Sequence, residues 1–346
     1  MFFSPADGRQ IELLPARDGT AELVLRLVTA PGQVADPNQV FQFFLLPTPV
    51  RRDFIPPDKN RLELWFENWS DFQGYPDLAK MPEVQRRTTE AHRNHKEFYL
   101  YFSQVLAENA PGYEWYRSEL IAPPDRPWYK RAYDPGKDVT CRVMCFRGAA
   151  GELLLDGVQH LVAEGGIDGV YLDGPTHPFD CSNPSHRCDD SLNADWDGGY
   201  EAGRVLGQRA FLKRLRGILN EAGHAYPLWA HTGGGLSIST LALTDFFFEG
   251  EQLSRYRSGY LLEPEKMLIN YSGAPYGFRG LFLPTLYMDN WNCLRALPWG
   301  LLHGISSFEF NDIQTVFFEQ LTRSEGVFHP YWEPQPELLR KSSDQA

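Results

Sequence analysis

The stretch ELLLDGVQHLVAEGGIDGVYLDG, residues 152–174, sets two periods side by side. In its first half Leu154, Val158, Leu161 and Val162 recur at i, i+4, i+7 and i+8, the stripe of an amphipathic helix, and Gly165 stands where such a helix stops. In its second half Val170 and Leu172 fall on one face of a strand, and Tyr171 and Asp173 on the other. The same alternation of scale recurs along the chain. Strand-sized apolar runs lie at 62–69, 98–103, 139–146, 168–173, 226–231, 245–251, 280–287 and 305–311. A second helical stripe, Leu212, Leu215 and Leu219, ends at Gly223. Strands alternating with helices predict parallel βαβ units, and eight such runs predict an α/β fold of the (β/α)8 barrel type. A doubly wound sheet is the alternative, but the first run, LELWFENWSDF, lacks the Gly-rich phosphate turn that such a sheet carries.

Outward from this core the pattern changes. IELLPARDGTAELVLRLVTAP, residues 11–31, alternates about a DG turn as a hairpin does, and VFQFFLLPTPV follows at 40–50. Residues 1–50 are therefore expected to be a β-rich N-terminal segment, the remnant of a β-sandwich. Residues 51–335 are expected to be the barrel, entered through the proline-rich PVRRDFIPPDKN, and 336–346 a polar tail.

Of 346 residues, 42% are hydrophobic and 23% charged, which excludes wholesale disorder. Lys plus Arg total 33 and Asp plus Glu 45, a net charge of −12. Such a chain lacks the cations that a nucleic-acid backbone or an anionic membrane requires, so neither partner is expected. Aromatics reach 14%, which suits a neutral polar ligand such as a sugar. No run reaches the roughly 18 apolar residues of a membrane span. The opening MFFSPADGRQ has no basic region followed by an apolar one, so no signal peptide is expected within this sequence.

A barrel keeps its site at the C-terminal ends of its strands. Asp173 ends the fourth run, with Tyr171 on the same face. Glu249 and Glu251, in DFFFEGEQL, share parity at the end of the sixth. Two carboxylates flanking one cavity are what glycoside hydrolysis needs: one donates a proton to the leaving oxygen, the other attacks the anomeric carbon or activates water. Asp173, Glu251 and Glu249 are accordingly the expected catalytic residues. Tyr171 in VYLD, Trp229 and His231 in LWAH, Trp65 and Glu67 in LELWFENW, His177, Asp289 and Glu309 are the expected substrate contacts; for each the alternative is core packing, a cap or a surface ion pair.

CSNPSHRC, residues 181–188, carries Cys181, His186 and Cys188. A disulfide or plain structural loop, or a metal site short of its fourth ligand, all fit that run, and no metal or cofactor is assigned. GGG at 233–235 lacks the Lys-Ser/Thr of a phosphate cradle. A metal-dependent hydrolase built on His177, His231 and Asp173 would place His-x-His on its first strand, where LELWFENW has none. A barrel that binds sugar without turnover is the other alternative.

GIDGVYLDG, CSNPSHRC, AHTGGGLSISTLALTDFFFEGEQL and FLPTLY, in that order, resemble a group of bacterial glycoside hydrolase-like proteins near glycoside hydrolase family 123. The resemblance covers roughly residues 40–335. It implies a β-sandwich followed by a (β/α)8 catalytic barrel, secretion to the periplasm or beyond, action on glycans, and a chain that is a shortened version or a fragment. Family 123 enzymes use an adjacent Asp-Glu pair, and no such pair occurs here, so that mechanism is not implied. An acid on strand four and another on strand six are similar instead to the layout of α-galactosidase-type barrels.

Overall fold

The computed structural model describes residues 11–15, 21–25, 61–122, 127–134, 137–174, 181–186, 202–224, 228–231, 241–249, 279–282 and 306–307. The elements run β1 (Ile11–Pro15), β2 (Ala21–Leu25), β3 (Leu62–Trp65), α1 (Met81–Arg93), β4 (Glu97–Ser103), β5 (Val105–Ala107), α2 (Tyr113–Leu120), β6 (Pro127–Asp134) and β7 (Lys137–Val143). They continue α3 (Ala149–Ala163), β8 (Gly169–Asp173), α4 (Ala202–Glu221), β9 (Leu228–His231), β10 (Phe246–Glu249), β11 (Arg279–Phe282) and β12 (Ser306–Ser307). β1 and β2 pair antiparallel, Ile11 opposite Leu25, as the alternation predicts. They belong to one compact unit and the remaining elements to another.

Seven strands form one parallel sheet in the order β3-β4-β8-β9-β10-β11-β12. Each strand lies beside the next parallel strand in the chain, and the order never reverses. A doubly wound sheet reverses at its switch point, so that alternative falls. Phe98 to Phe102 and Val170 to Leu172 are buried on both faces, as strands of a helix-covered parallel sheet are. α1 buries Val84, Thr88 and Ala91, and α3 buries Leu154, Leu155, Val158 and Leu161. The turn after α3 takes its left-handed residue at Gly166 (φ 69°), one position beyond the expected stop.

One predicted barrel strand is corrected. The run 139–146 forms β7, which pairs antiparallel with β5 and β6 in a separate three-stranded sheet. Its physical origin is the end of β4: after Ser103 a single residue, Gln104, separates β4 from β5. The chain runs through α2 and the antiparallel sheet before entering α3. β5–β7 are thus an elaborated βα loop at the C-terminal end of β4, and β4 pairs directly with β8. A β12–β3 pair that would close the sheet is not among the described pairings.

At the opposite end of the sheet two carboxylates repeat one device. Asp168, just before β8, accepts the Phe98 N–H at 2.7 Å and is met by His92 Nε2 at 2.7 Å. Asp245, just before β10, accepts the Leu228 N–H at 3.0 Å and pairs with Arg216 at 3.1 Å. Each caps an amide at the start of its neighbouring strand, the second of β4 and the first of β9, and anchors a helical side chain.

Candidate active site

The face of the sheet that carries Asp173 follows from register. Tyr101 pairs with Tyr171 and Tyr171 with Trp229; Ser103 pairs with Asp173 and Asp173 with His231; Trp229 pairs with Phe246. Tyr99, Tyr101, Tyr171, Asp173, Trp229, His231 and Phe246 therefore share one face. Its deep part is aromatic. Tyr99 stacks on Trp229 with centroids 4.7 Å apart and planes at 26°, although β8 lies between their strands. Strands two apart stand about 9.6 Å from each other. The rings meet because Gly169, the β8 partner of Tyr99, has no side chain to separate them.

Above this layer Tyr101 stacks on Tyr171 at 5.4 Å. The Tyr101 hydroxyl donates to Asp173 Oδ2 at 2.7 Å and stands 3.4 Å from the buried Gln73 amide, which donates to it. His231 Nδ1 lies 3.0 Å from Asp173 Oδ1. A carboxylate accepts, so Nδ1 carries the proton and Nε2 is the imidazole's other face. Asp173 keeps 34% of its side chain open to solvent while His231 is buried. Burial pushes the Asp173 carboxyl up; the hydrogen bond and charge of His231 and the Tyr101 hydroxyl outweigh it and hold the group below the usual carboxylate range. Gly174, at φ 84°, takes the chain off the strand end in a left-handed turn beside Gln104.

Phe66, 48% exposed, sits against Tyr101 at 4.7 Å and Tyr171 at 6.0 Å. An open aromatic face beside an ionised, oriented carboxylate can hold the apolar side of a polar ring while the carboxylate meets an electrophilic carbon.

The structure brings together Asp173, Tyr171 and His231 of the expected residues. Trp229 is on their face but only 1% exposed, covered by Tyr99 and Phe246. Trp65 pairs with Leu100, so it lies on the other face, where Arg87 of α1 stands 3.9 Å over its ring. Glu67 is in a 3-10 turn after β3, where strand parity no longer applies. In β10, Phe246 pairs with Trp229 and Phe248 with His231, so position 249 alternates away from Asp173 and groups with Phe247. Its backbone partner is Phe282. Glu251, His177, Asp289 and Glu309 lie outside the described residues, as does Cys188.

Tyr101 and Phe66 are the residues that sequence reading missed. Tyr101 is two residues short of its strand end and reaches Asp173 through a long side chain; its parity with Ser103 was the available signal. Phe66 follows the last strand residue of LELWF, and a strand that stopped at Trp65 would have exposed it.

No helix among the described residues is long and apolar enough to cross a membrane. No protein-family model matches the sequence, and neither does any curated protein. Among solved structures the chain is similar to α-L-fucosidase isoenzyme 2 from Paenibacillus thiaminolyticus, at 16% identity and a TM-score of 0.43, over 58% of this chain and 30% of that one. It is similar to the α-galactosidase TtGalA from Thermus thermophilus, at 16% identity and 0.36, over 76% of this chain and 50% of that one. The cycloalternan-degrading enzyme from Trueperella pyogenes follows at 12% and 0.39, over 67% and 33%. The chain thus spans between about a third and a half of the length of these proteins.

Proposed function

We propose that the protein is a glycoside hydrolase whose parallel sheet closes as a (β/α) barrel, with Asp173 as its ionised catalytic carboxylate. One observation carries the reading: at the C-terminal end of a parallel strand, a solvent-open carboxylate is held charged by two donors, one on each oxygen. The fold spends a tyrosine and a buried histidine on keeping that group deprotonated and aimed. A cap or a surface ion pair has no use for such an arrangement.

Asp173 attacks the anomeric carbon, or takes the proton of a water that does so. Tyr101 and His231 set which lone pairs are free and keep the carboxylate anionic before attack. Phe66, over Tyr101 and Tyr171, receives the C–H face of the sugar, and the charge of −12 makes a neutral glycan the fitting substrate. The proton for the leaving oxygen comes from Glu251, in the segment after β10; Glu249, the reserve candidate, ends β10 on the opposite face. Glu251 lies beyond the described end of β10, so the alternation that turns position 249 away does not bind it.

The test is a panel of aryl glycosides and neutral oligosaccharides with the parent, Asp173→Asn and Glu251→Gln. Each substitution is expected to lower kcat by about 10³-fold on any substrate the parent cleaves. Full turnover by both variants removes the assignment. Saturable binding by the parent with no cleavage of any member replaces it with sugar recognition alone.

A further inference from the structure

Three side chains outside the Asp173 site converge from two loops. Cys145 follows β7 in the insert that grows from β4. Cys181 and His186 lie in the segment 181–186, which follows β8 and therefore Asp173 itself. All three are buried, and their sulfur and nitrogen atoms lie within 4.8 Å of one another. Cys181 Sγ is 3.3 Å from His186 Nδ1. Two tetrahedral zinc ligands, sulfur at about 2.3 Å and nitrogen at about 2.0 Å, stand about 3.5 Å apart.

We propose that Cys145, Cys181 and His186 bind a thiophilic divalent cation, zinc by their ligand chemistry. The ion fastens the loop behind Asp173 to the antiparallel insert, and a water takes the remaining tetrahedral position.

The surroundings of His186 point the same way. Its Nε2 stands 2.9 Å from the Glu119 carbonyl, which can only accept, so Nε2 carries the proton. The Asn183 amide also approaches Nε2, at 3.2 Å, but it already donates to the Ser118 carbonyl at 2.6 Å, and its oxygen accepts from Ser185 N–H at 3.0 Å. The carbonyl therefore decides the tautomer. The Nδ1 lone pair is left facing the Cys181 sulfur, the orientation that a backbone carbonyl imposes on metal-bound histidines. Gly148 makes the room: a Cβ there would stand 2.4 Å from Nε2 and 2.8 Å from the Glu119 carbonyl oxygen. Its φ of −93° needs no glycine, so the missing side chain serves the imidazole. Cys181 is a free thiol, as a thiolate ligand requires.

The reduced full-length protein, stripped with a chelator, is titrated with cobalt(II) and followed by absorbance. One equivalent is expected to produce thiolate-to-cobalt charge transfer and tetrahedral ligand-field bands, and zinc to abolish both. Cys181→Ser and His186→Gln are expected to weaken cobalt binding by more than about 100-fold. Gly148→Ala keeps every ligand and is expected to weaken it by about 10- to 100-fold. Should a ligand variant fail to fold, thiol labelling of the parent decides: zinc should slow alkylation of Cys145 and Cys181, and a chelator should restore it. A reduced parent with no charge-transfer band, equal labelling with and without zinc, or recovery of a Cys145–Cys181 disulfide from the freshly isolated protein each overturns the proposal.

Discussion

In the proposed mechanism the chemistry turns on Asp173, and its charge state comes from neighbours on two other strands. β8 supplies the carboxylate, β4 the Tyr101 hydroxyl and β9 the His231 ring. Because the folded group ionises below its ordinary value of 3.8, it adds stability above that value and loses this contribution as pH falls through the lowered one. The same carboxylate is charged throughout the neutral range, so under the proposed mechanism a base-side loss of activity would belong to the proton donor. Removing the tyrosine hydroxyl separates the two effects. Tyr101→Phe keeps the stack on Tyr171 but deletes one donor, which raises the Asp173 carboxyl. The acid limb of kcat/KM should move to higher pH, with turnover at neutral pH down by about tenfold, the worth of one hydrogen bond to a charged group. An unmoved acid limb, measured on any cleaved glycoside, would take Tyr101 out of the site.

At the scale of elements, the two capping aspartates at the foot of the sheet show how strand order is held. Asp245 is fully buried and pairs with Arg216, itself mostly buried, whereas Asp168 meets two imidazoles, the half-exposed His92 and the less exposed His224. Asp245→Ala leaves the Leu228 amide without its acceptor and the Arg216 guanidinium without its anion, holding only the Leu243 carbonyl, and should cost about 3–5 kcal/mol. Asp168→Ala, with a neighbour that can turn to water, should cost about 1–3 kcal/mol. Urea unfolding of both variants checks the order, and an equal or reversed ranking would contradict it. Elements were the level most legible in the sequence. The runs at 98–103 and 168–173 match β4 and β8 within a residue, and the stripe on Leu154, Val158 and Leu161 is α3. Pairing was not legible. VTCRVMCF reads as a strand because its apolar residues alternate, but alternation does not say which sheet a strand joins; β7 joins the insert because Gln104 is too short a link to carry β5 away from β4. The site was half legible for a related reason. Parity put Asp173, Tyr171 and His231 on one face, and the register of β8 and β9 groups them so, since those strands run straight to their ends. Register places Trp65 on the other face, Glu67 falls after β3 has ended, and position 249 groups with Phe247.

For the whole molecule the open question is whether the parallel sheet has edges. Among the described residues, seven parallel strands stand in unbroken chain order, with Tyr99 and Trp229 meeting across β8 on the face that carries Asp173. An all-parallel sheet of this order has two ways to end. Left open, β3 presents a row of unpaired amides on the side away from β4 and is a template for another chain. Closed, those amides are hydrogen-bonded and the aromatic layer is sealed on all sides. In a parallel strand alternate N–H groups point to opposite neighbours, so the four residues of β3 report both sides at once. Hydrogen exchange resolved by residue should find all four amides of Leu62–Trp65 slow if the sheet closes, and only the alternate ones facing β4 slow if it does not. The outcome bears on catalysis as well as on form. Only a closed sheet brings the segment beyond β10 round to face Asp173 across a cavity, rather than leaving it two strands along an open surface. Fast exchange at the outward amides would therefore remove the barrel and, with it, the geometric basis for a second carboxylate opposite the first.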